Sequence, residues 1–277
     1  MVATANPGQR ESRALRTIWP PSPRLLRGLG GVFGFLLLVE AVVRLAPFST
    51  SSLPPSSVVI ARVAELLTDA GFLVDCLATI YVWILGLVIA AAVAIPLGII
   101  LGSLPAVRTA TRSLVEFLRP IPPIAMLPLA IVLFGGGAQM KLALVIYGAI
   151  WPILFNTIYA LSDVDPVAVD TARAFGFGRL AILRRVSLPS AAPFIATGIR
   201  VSSSIALILT ISAGLLGGGI NGIGTFIIRV NTSPGNTDLI LAAALLAGAL
   251  GYAGSALLER GEQRLFRWHF QRNEGHA

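Results

Sequence analysis

The stretch VDTARAFGFGRLAILRRVSLP, residues 169–189, is basic and only partly apolar, in a chain that is otherwise oily almost from end to end. Asp163, Asp165 or Asp170 can cap or precede a first short helix, and Pro166 suits its first turn. Gly176 and Gly178 break that helix and permit a sharp turn. RLAILRRVSLP then reads as a second helix, which Leu188-Pro189 ends before the next apolar run. A helix, a glycine turn and a second helix thus separate two long apolar segments, near 139–160 and 192–216.

The composition of the whole chain sets the class. Of 277 residues, 55% are hydrophobic and 12% charged, against about one quarter charged in an average soluble domain, and the mean hydropathy is +0.82. This is the composition of an integral membrane protein, and the apolar runs of helical span length make it all-α. Runs of about 20 apolar residues cross a bilayer core. Six fit, near 28–46, 77–102, 120–136, 139–160, 192–216 and 238–258, giving a six-span domain over 28–258 between tails 1–27 and 259–277. The third is short and proline-laden, so its start is ill defined. The first follows a long arginine-bearing tail, exceeds a signal-peptide core and lacks a cleavage site, which predicts an uncleaved anchor. Between the first two spans, Val59, Ile60, Val63, Leu66, Leu67 and Ala70 repeat at helical spacing behind Ser56 or Ser57. That spacing predicts an amphipathic helix at the outer surface.

Cations orient the chain, because cytoplasmic loops retain Lys and Arg. Sixteen of the 21 fall in four segments: the N-terminal tail, the loop with Arg108, Arg112 and Arg119, the loop 162–190 with Arg173, Arg179, Arg184 and Arg185, and the C-terminal tail. The opposite side has Arg62, Lys141 and Arg229. Both termini are therefore expected in the cytoplasm of a multi-pass cell-membrane protein. The same rule accounts for the net charge of +8 without nucleic acid, whose binding would need a clustered polar face. A single cysteine, Cys76, allows no intrachain disulfide, and with His269 and His276 it makes no closed metal site.

Residues 170–189 resemble the coupling motif of binding-protein-dependent ABC importer permeases. That motif reads Glu-Ala-Ala, three residues, Gly, nine residues, Ile, one residue, Leu-Pro. Here Asp170, Thr171 and Ala172 precede Gly176 by the same interval, and Val186, Ser187, Leu188 and Pro189 follow it by the same interval. Asp stands for Glu, Thr for the first Ala and Val for Ile. The resemblance covers about residues 55–265 and narrows to the permeases similar to nitrate, aliphatic-sulfonate and taurine importers. It rests there on AIPLGIILG at 94–102, FLRPIPPIAMLPLAIVLFG at 117–135, NGIG at 221–224 and LLER at 257–260. Two positions depart: Val82 stands where relatives often carry Arg, and Gly214 where they usually carry Glu.

The resemblance implies the type I ABC importer permease fold with a cytoplasmic coupling helix, docking through Asp170, Thr171, Ala172, Arg173, Gly176, Val186, Leu188 and Pro189. It implies as partners two ATPase subunits that use ATP and Mg, a second permease copy in a homodimer, and an extracytoplasmic substrate-binding protein. The implied solutes are sulfonates, nitrate or related anions, with pyrimidine-type or flavin-type vitamin precursors as the alternative.

Other features carry less. Gly217, Gly219 and Gly222 fit Gly-x-Gly-x-x-Gly, with Asp238 at a ribose-contact interval, but the pattern lies between two spans and outside any βαβ unit. No phosphate-binding Gly-Lys-Ser/Thr loop surrounds Lys141, so no ATPase motif and no catalytic residue is expected. Glu40 and Arg44 are spaced to pair on one helix face. Arg200 sits in the inner third of the fifth span near Ser203, and with Asn156 and Thr210 it is a candidate for the translocation path. Each has a structural alternative, snorkelling for Arg200 and helix-to-helix hydrogen bonding for the others. An ion-gradient-driven secondary transporter would show inverted repeats or paired intramembrane acids, and neither is seen beyond Glu40. An intramembrane enzyme would want paired carboxylates or a His site.

Overall fold

The computed structural model describes residues 23–45, 53–233 and 235–266. The N-terminal tail up to residue 22, and Arg267, Arg272, His269 and His276 in the C-terminal tail, lie outside the described residues. The helices in chain order are α1 (Pro23–Leu45), α2 (Ser56–Leu66), α3 (Ala70–Ser103), α4 (Pro105–Leu118), α5 (Leu127–Phe134), α6 (Ala138–Ser162), α7 (Pro166–Ala174), α8 (Arg179–Ile182), α9 (Leu188–Gly217), α10 (Ile223–Asn231) and α11 (Thr237–Leu265). This is an all-α membrane protein. Among the described residues four stretches are long and apolar enough to cross a bilayer: Ala70–Ser103, Ala138–Ser162, Arg179–Gly217 and Thr237–Leu265. The two other expected spans correspond to α1 and to the short α5.

The chain separates into two compact units, Met1–Val58 and Val59–Ala277. In the first, Glu40 pairs with Arg44 at 2.6 Å as its spacing predicts. The carboxylate also accepts hydrogen bonds from Ser56 Oγ, Ser57 N and Ser57 Oγ at 2.8–3.0 Å, which ties the start of α2 to α1.

In the second unit α3, α6 and α9 form the core. Ala90, Ala94, Ala149 and Ala206 are completely buried there beside Val145 and Ile153. Small residues let membrane helices approach closely, because lipid supplies no hydrophobic drive and packing must serve instead. Polar cross-links add to it. Trp83 Nε1 donates to the Ser203 carbonyl at 2.8 Å, linking α3 to α9, and Ser202 Oγ donates to the Ala149 carbonyl at 2.7 Å, linking α9 to α6. A second cluster joins Val59 and Leu66 of α2 to Phe72, Ile223, Ala242 and Ala243. Of the expected amphipathic face, Val59 and Leu66 are buried, but Ile60 and Leu67 are exposed. Arg62 pairs with Asp238 at 2.7 Å and Glu65 at 2.6 Å, and these carboxylates hold its guanidinium above its usual pKa range.

Several expected boundaries are corrected. The second span begins at Ala70, because Asp69 caps α3 by accepting from Phe72 N at 2.6 Å, so Asp75 lies within the helix. The arginine loop after it contains a 14-residue helix, α4. The third span holds only a 3₁₀ turn at Pro123–Met126 and the eight residues of α5. Pro189 does not end a helix. The chain runs helically from Arg179 to Gly217, with a π turn at Leu183–Ser187 where Leu188 N reaches back to the Leu183 carbonyl. Pro189 has no N–H to give and its ring crowds the preceding turn, and one widened turn accommodates both.

Candidate functional site

The loop 162–190 folds as its residues dictate. Asp165 is the N-cap of α7, accepting from Val167 N at 2.8 Å, with Pro166 in the first turn. Asp170 lies inside the helix and pairs with Arg173 at 2.8 Å. At the far end Gly176 adopts φ +83. Gly176 N donates to the Arg173 carbonyl at 2.9 Å and Phe177 N to the Ala172 carbonyl at 3.1 Å, the paired bonds of a Schellman ending. A Cβ on Gly176 would meet nothing within 4 Å of this chain. The glycine is required here by its left-handed backbone, not by close approach within the chain. Ala172 is buried, Asp170, Thr171 and Arg173 are exposed, and Val186 and Leu188 are half-buried along the π turn and α9. Val167, Phe175 and Leu180 place exposed apolar surface on the arm, and Arg185 lies over the Phe177 ring at 5.5 Å.

The four path candidates do not converge. Arg200 is paired with Glu262 of α11 at 3.5 Å, and Glu262 also accepts from Thr197 Oγ1 at 2.9 Å. Arg200 therefore neither snorkels alone nor stands free for a solute: its acid comes from α11, while position 214 on its own helix is glycine. Ser203 is buried, and its Oγ has no partner among the described residues. Asn156 Nδ2 donates to the Pro152 carbonyl within its own helix at 2.8 Å. Thr210 Oγ1 donates to the Ala206 carbonyl at 2.8 Å and borders a cavity at the opposite end of α9 from Arg200.

That cavity, about 390 Å³, is lined by Thr79, Val82, Lys141, Thr210, Gly219 and Asn221 among others. It is bounded by a polar cluster that local reading of the sequence missed. Asp75, 1% exposed, accepts from Gly222 N at 2.7 Å and from Arg229 Nη2 at 2.6 Å. Thr79 Oγ1 accepts from Ile223 N at 2.9 Å. Lys141, 4% exposed, donates to the Asn221 carbonyl and to Thr225 Oγ1, both at 3.0 Å. The expectation of no buried acid beyond Glu40 is therefore corrected. Gly217, Gly219 and Gly222 belong to the end of α9 and the turn into α10, and no strand occurs among the described residues. Gly214 packs against the backbone of Gly224 and Thr225.

Residues 94–267 match the family model described as the binding-protein-dependent transport system inner membrane component. The chain belongs to this permease family. Among relatives of this permease, the taurine transport system permease protein of Escherichia coli is 28% identical over 93% of this chain and 95% of its own length. The bicarbonate transport system permease protein of Synechococcus elongatus is 30% identical over 88% and 89%. The permease has the type I ABC importer fold: a chain of the MetNI methionine ABC transporter in an inward-facing conformation superposes with a TM-score of 0.59, at 20% identity, over 70% of this chain and 93% of that one.

Proposed function

We propose that this permease is the membrane subunit of an ATP-driven importer that carries a small anion, a sulfonate, nitrate, bicarbonate or a relative of these. Two copies enclose the path, a binding protein delivers solute from outside, and two separate ATPase subunits hydrolyse ATP with Mg below. Both tails and the 162–190 loop lie in the cytoplasm in this arrangement. The observation that carries the reading is the arm itself. α7 is fixed at one end by Asp165 and at the other by the Gly176 turn, and beyond that turn the chain passes into one helix from Arg179 to Gly217.

Such an arm transmits displacement because a helix does not stretch. Movement of α7 against an ATPase groove turns α8 and α9, and α9 is hydrogen-bonded to α3 through Trp83 and to α6 through Ser202. Its far end enters the glycine turn beside Lys141 and Asp75. Asp170, Thr171, Arg173 and Gly176 are the contact residues in this reading, the buried Ala172 seats α7 on the arm, and Val186, Leu188 and Pro189 join the arm to the span. Exposed Arg173 offers charge-assisted bonds to partner carboxylates. Arg200, Ser203, Asn156 and Thr210 keep the role of path candidates.

Purifying the complex on a tag attached to this chain and sealing it into liposomes tests the assignment. With ATP inside and binding protein outside, labelled taurine, nitrate or bicarbonate accumulates, and dissipating ion gradients leaves uptake unchanged. Uptake that follows an imposed ion gradient without ATP assigns the chain to secondary transport instead.

A further inference from the structure

The cavity beside Lys141 contains an unbalanced charge. Both oxygens of Asp75 are engaged, Oδ1 by Gly222 N and Oδ2 by Arg229. Lys141 itself bonds only neutral oxygens, the Asn221 carbonyl and the Thr225 hydroxyl. An ammonium has three N–H groups, so one remains. Two cations against one carboxylate leave the cluster with one net positive charge at a lysine that is 4% exposed. Burying such a charge without a counter-charge is costly. The first turn of α6 adds to the positive field. Its N-cap is Gly137, which supplies no side-chain acceptor, and Gly136, Gly137 and Ala138 line the same cavity. The unpaired N–H groups of a helix start attract anions.

We propose that this cavity is an anion-binding site, in which the Lys141 ammonium and the first turn of α6 hold a small oxyanion of the sulfonate, nitrate or carboxylate class. The inference rests on the reading of the solute as an anion and locates a station for it at the end of α9 remote from the arm. The volume of about 390 Å³ holds such an ion with part of its water. Lys141 also holds the carbonyl of Asn221 in the turn before α10, so an arriving anion competes for the group that pins that turn. Occupancy of the site and the position of the turn are therefore linked.

The charge is measurable without knowledge of the natural solute. Ile220 lines the cavity and is 86% exposed, so a single cysteine there, Ile220→Cys in a Cys76→Ser background of the full chain in lipid nanodiscs, reports the local potential. Two thiosulfonate reagents of similar size are compared, one ending in ethanesulfonate and one in trimethylammonium, each normalised to its rate with free cysteine. The anionic reagent reacts faster, and sodium nitrate, taurine or sodium bicarbonate at millimolar concentration slows it. Lys141→Gln shifts the ratio of the two rates by about tenfold toward the cation, whereas Lys141→Arg, which keeps the charge, preserves the preference. Equal normalised rates with Lys141 present, an unchanged ratio in Lys141→Gln, or no slowing by any of the three anions overturns the site. Labelling needs neither ATPase nor binding protein. Its failure therefore leaves ATP-driven uptake standing, and a failure of ATP dependence leaves the labelling result standing.

Discussion

Gly176→Val abolishes solute-stimulated ATP hydrolysis while the permease still reaches the membrane in normal amount. The backbone at this position has φ +83, a region that a β-branched residue enters only at a cost of about 1–2 kcal/mol or more. The surrounding space is open, so the penalty is entirely one of backbone conformation. Relieving it breaks the bonds from Gly176 N and Phe177 N to the Arg173 and Ala172 carbonyls and re-aims α7 relative to α8. None of the membrane helices is touched, which is why insertion survives. Gly176→Asn retains most activity, since Asn tolerates the left-handed region, and Gly176→Ala falls between the two. Hydrolysis in reconstituted complexes, plotted for the three variants, should follow that order. Full activity in the valine variant would remove the arm from the coupling pathway.

Gly224→Ala gives the largest loss of folded protein. Gly224 lies in the first turn of α10, and an added Cβ would overlap the carbonyl oxygen of Ile211 in α9 and stand 3.0 Å from Leu215 N. Both neighbours are backbone, so no side chain can swing aside. The two helices must separate, at a cost of roughly 3 kcal/mol, the upper end of the usual range for overpacking. Their separation also displaces Thr225 and the turn at Asn221, both partners of Lys141. Thermal unfolding of the purified permease in nanodiscs reads the effect, and a midpoint equal to that of the parent chain contradicts the packing described for this contact. Gly214, on the other side of the same crossing, has 3.2 Å to Thr225 N, so alanine there is the milder companion.

The elements legible in the sequence are those whose cause is local. Apolar runs locate α6, α9 and α11 to within a few residues at their ends remote from the arm, and the turn at Gly176 follows from a glycine behind a small-residue helix. Pro189 was misleading because a proline reads locally as a stop. Its accommodation depends on a widened turn over 183–187 that no single residue announces. Asp75 and Lys141 were missed for a different reason. Each stands near the end of an apolar run, where a charge reads as belonging to a loop, yet their partners Gly222, Arg229, Asn221 and Thr225 are 80 or more residues away. Arg200 shows the same limit, since Glu262 lies 62 positions further along the chain in what reads as a polar tail. Spacing along one helix says which side chains can share a face, but not which helix supplies the opposing charge.

The π turn at Leu183–Ser187 has a consequence for partner choice. A widened turn takes up one residue more than an α turn within about one revolution, so the helix keeps its phase across it, whereas in a straight helix one residue corresponds to about 100° of rotation. The azimuth at which α7 leaves the end of α9 is thus set by the phase of the helix that carries it, together with the Gly176 turn and the packing of the buried Ala172. Deletion of one residue from 183–187 would be absorbed as the segment closes into a regular helix, whereas deletion of two would exhaust that slack and swing the arm by about that angle. A permease altered in this way would present an unchanged docking sequence on the wrong bearing. Two importers in one cell could keep their ATPases from being exchanged by the phase of a helix alone, with no difference in the residues that touch.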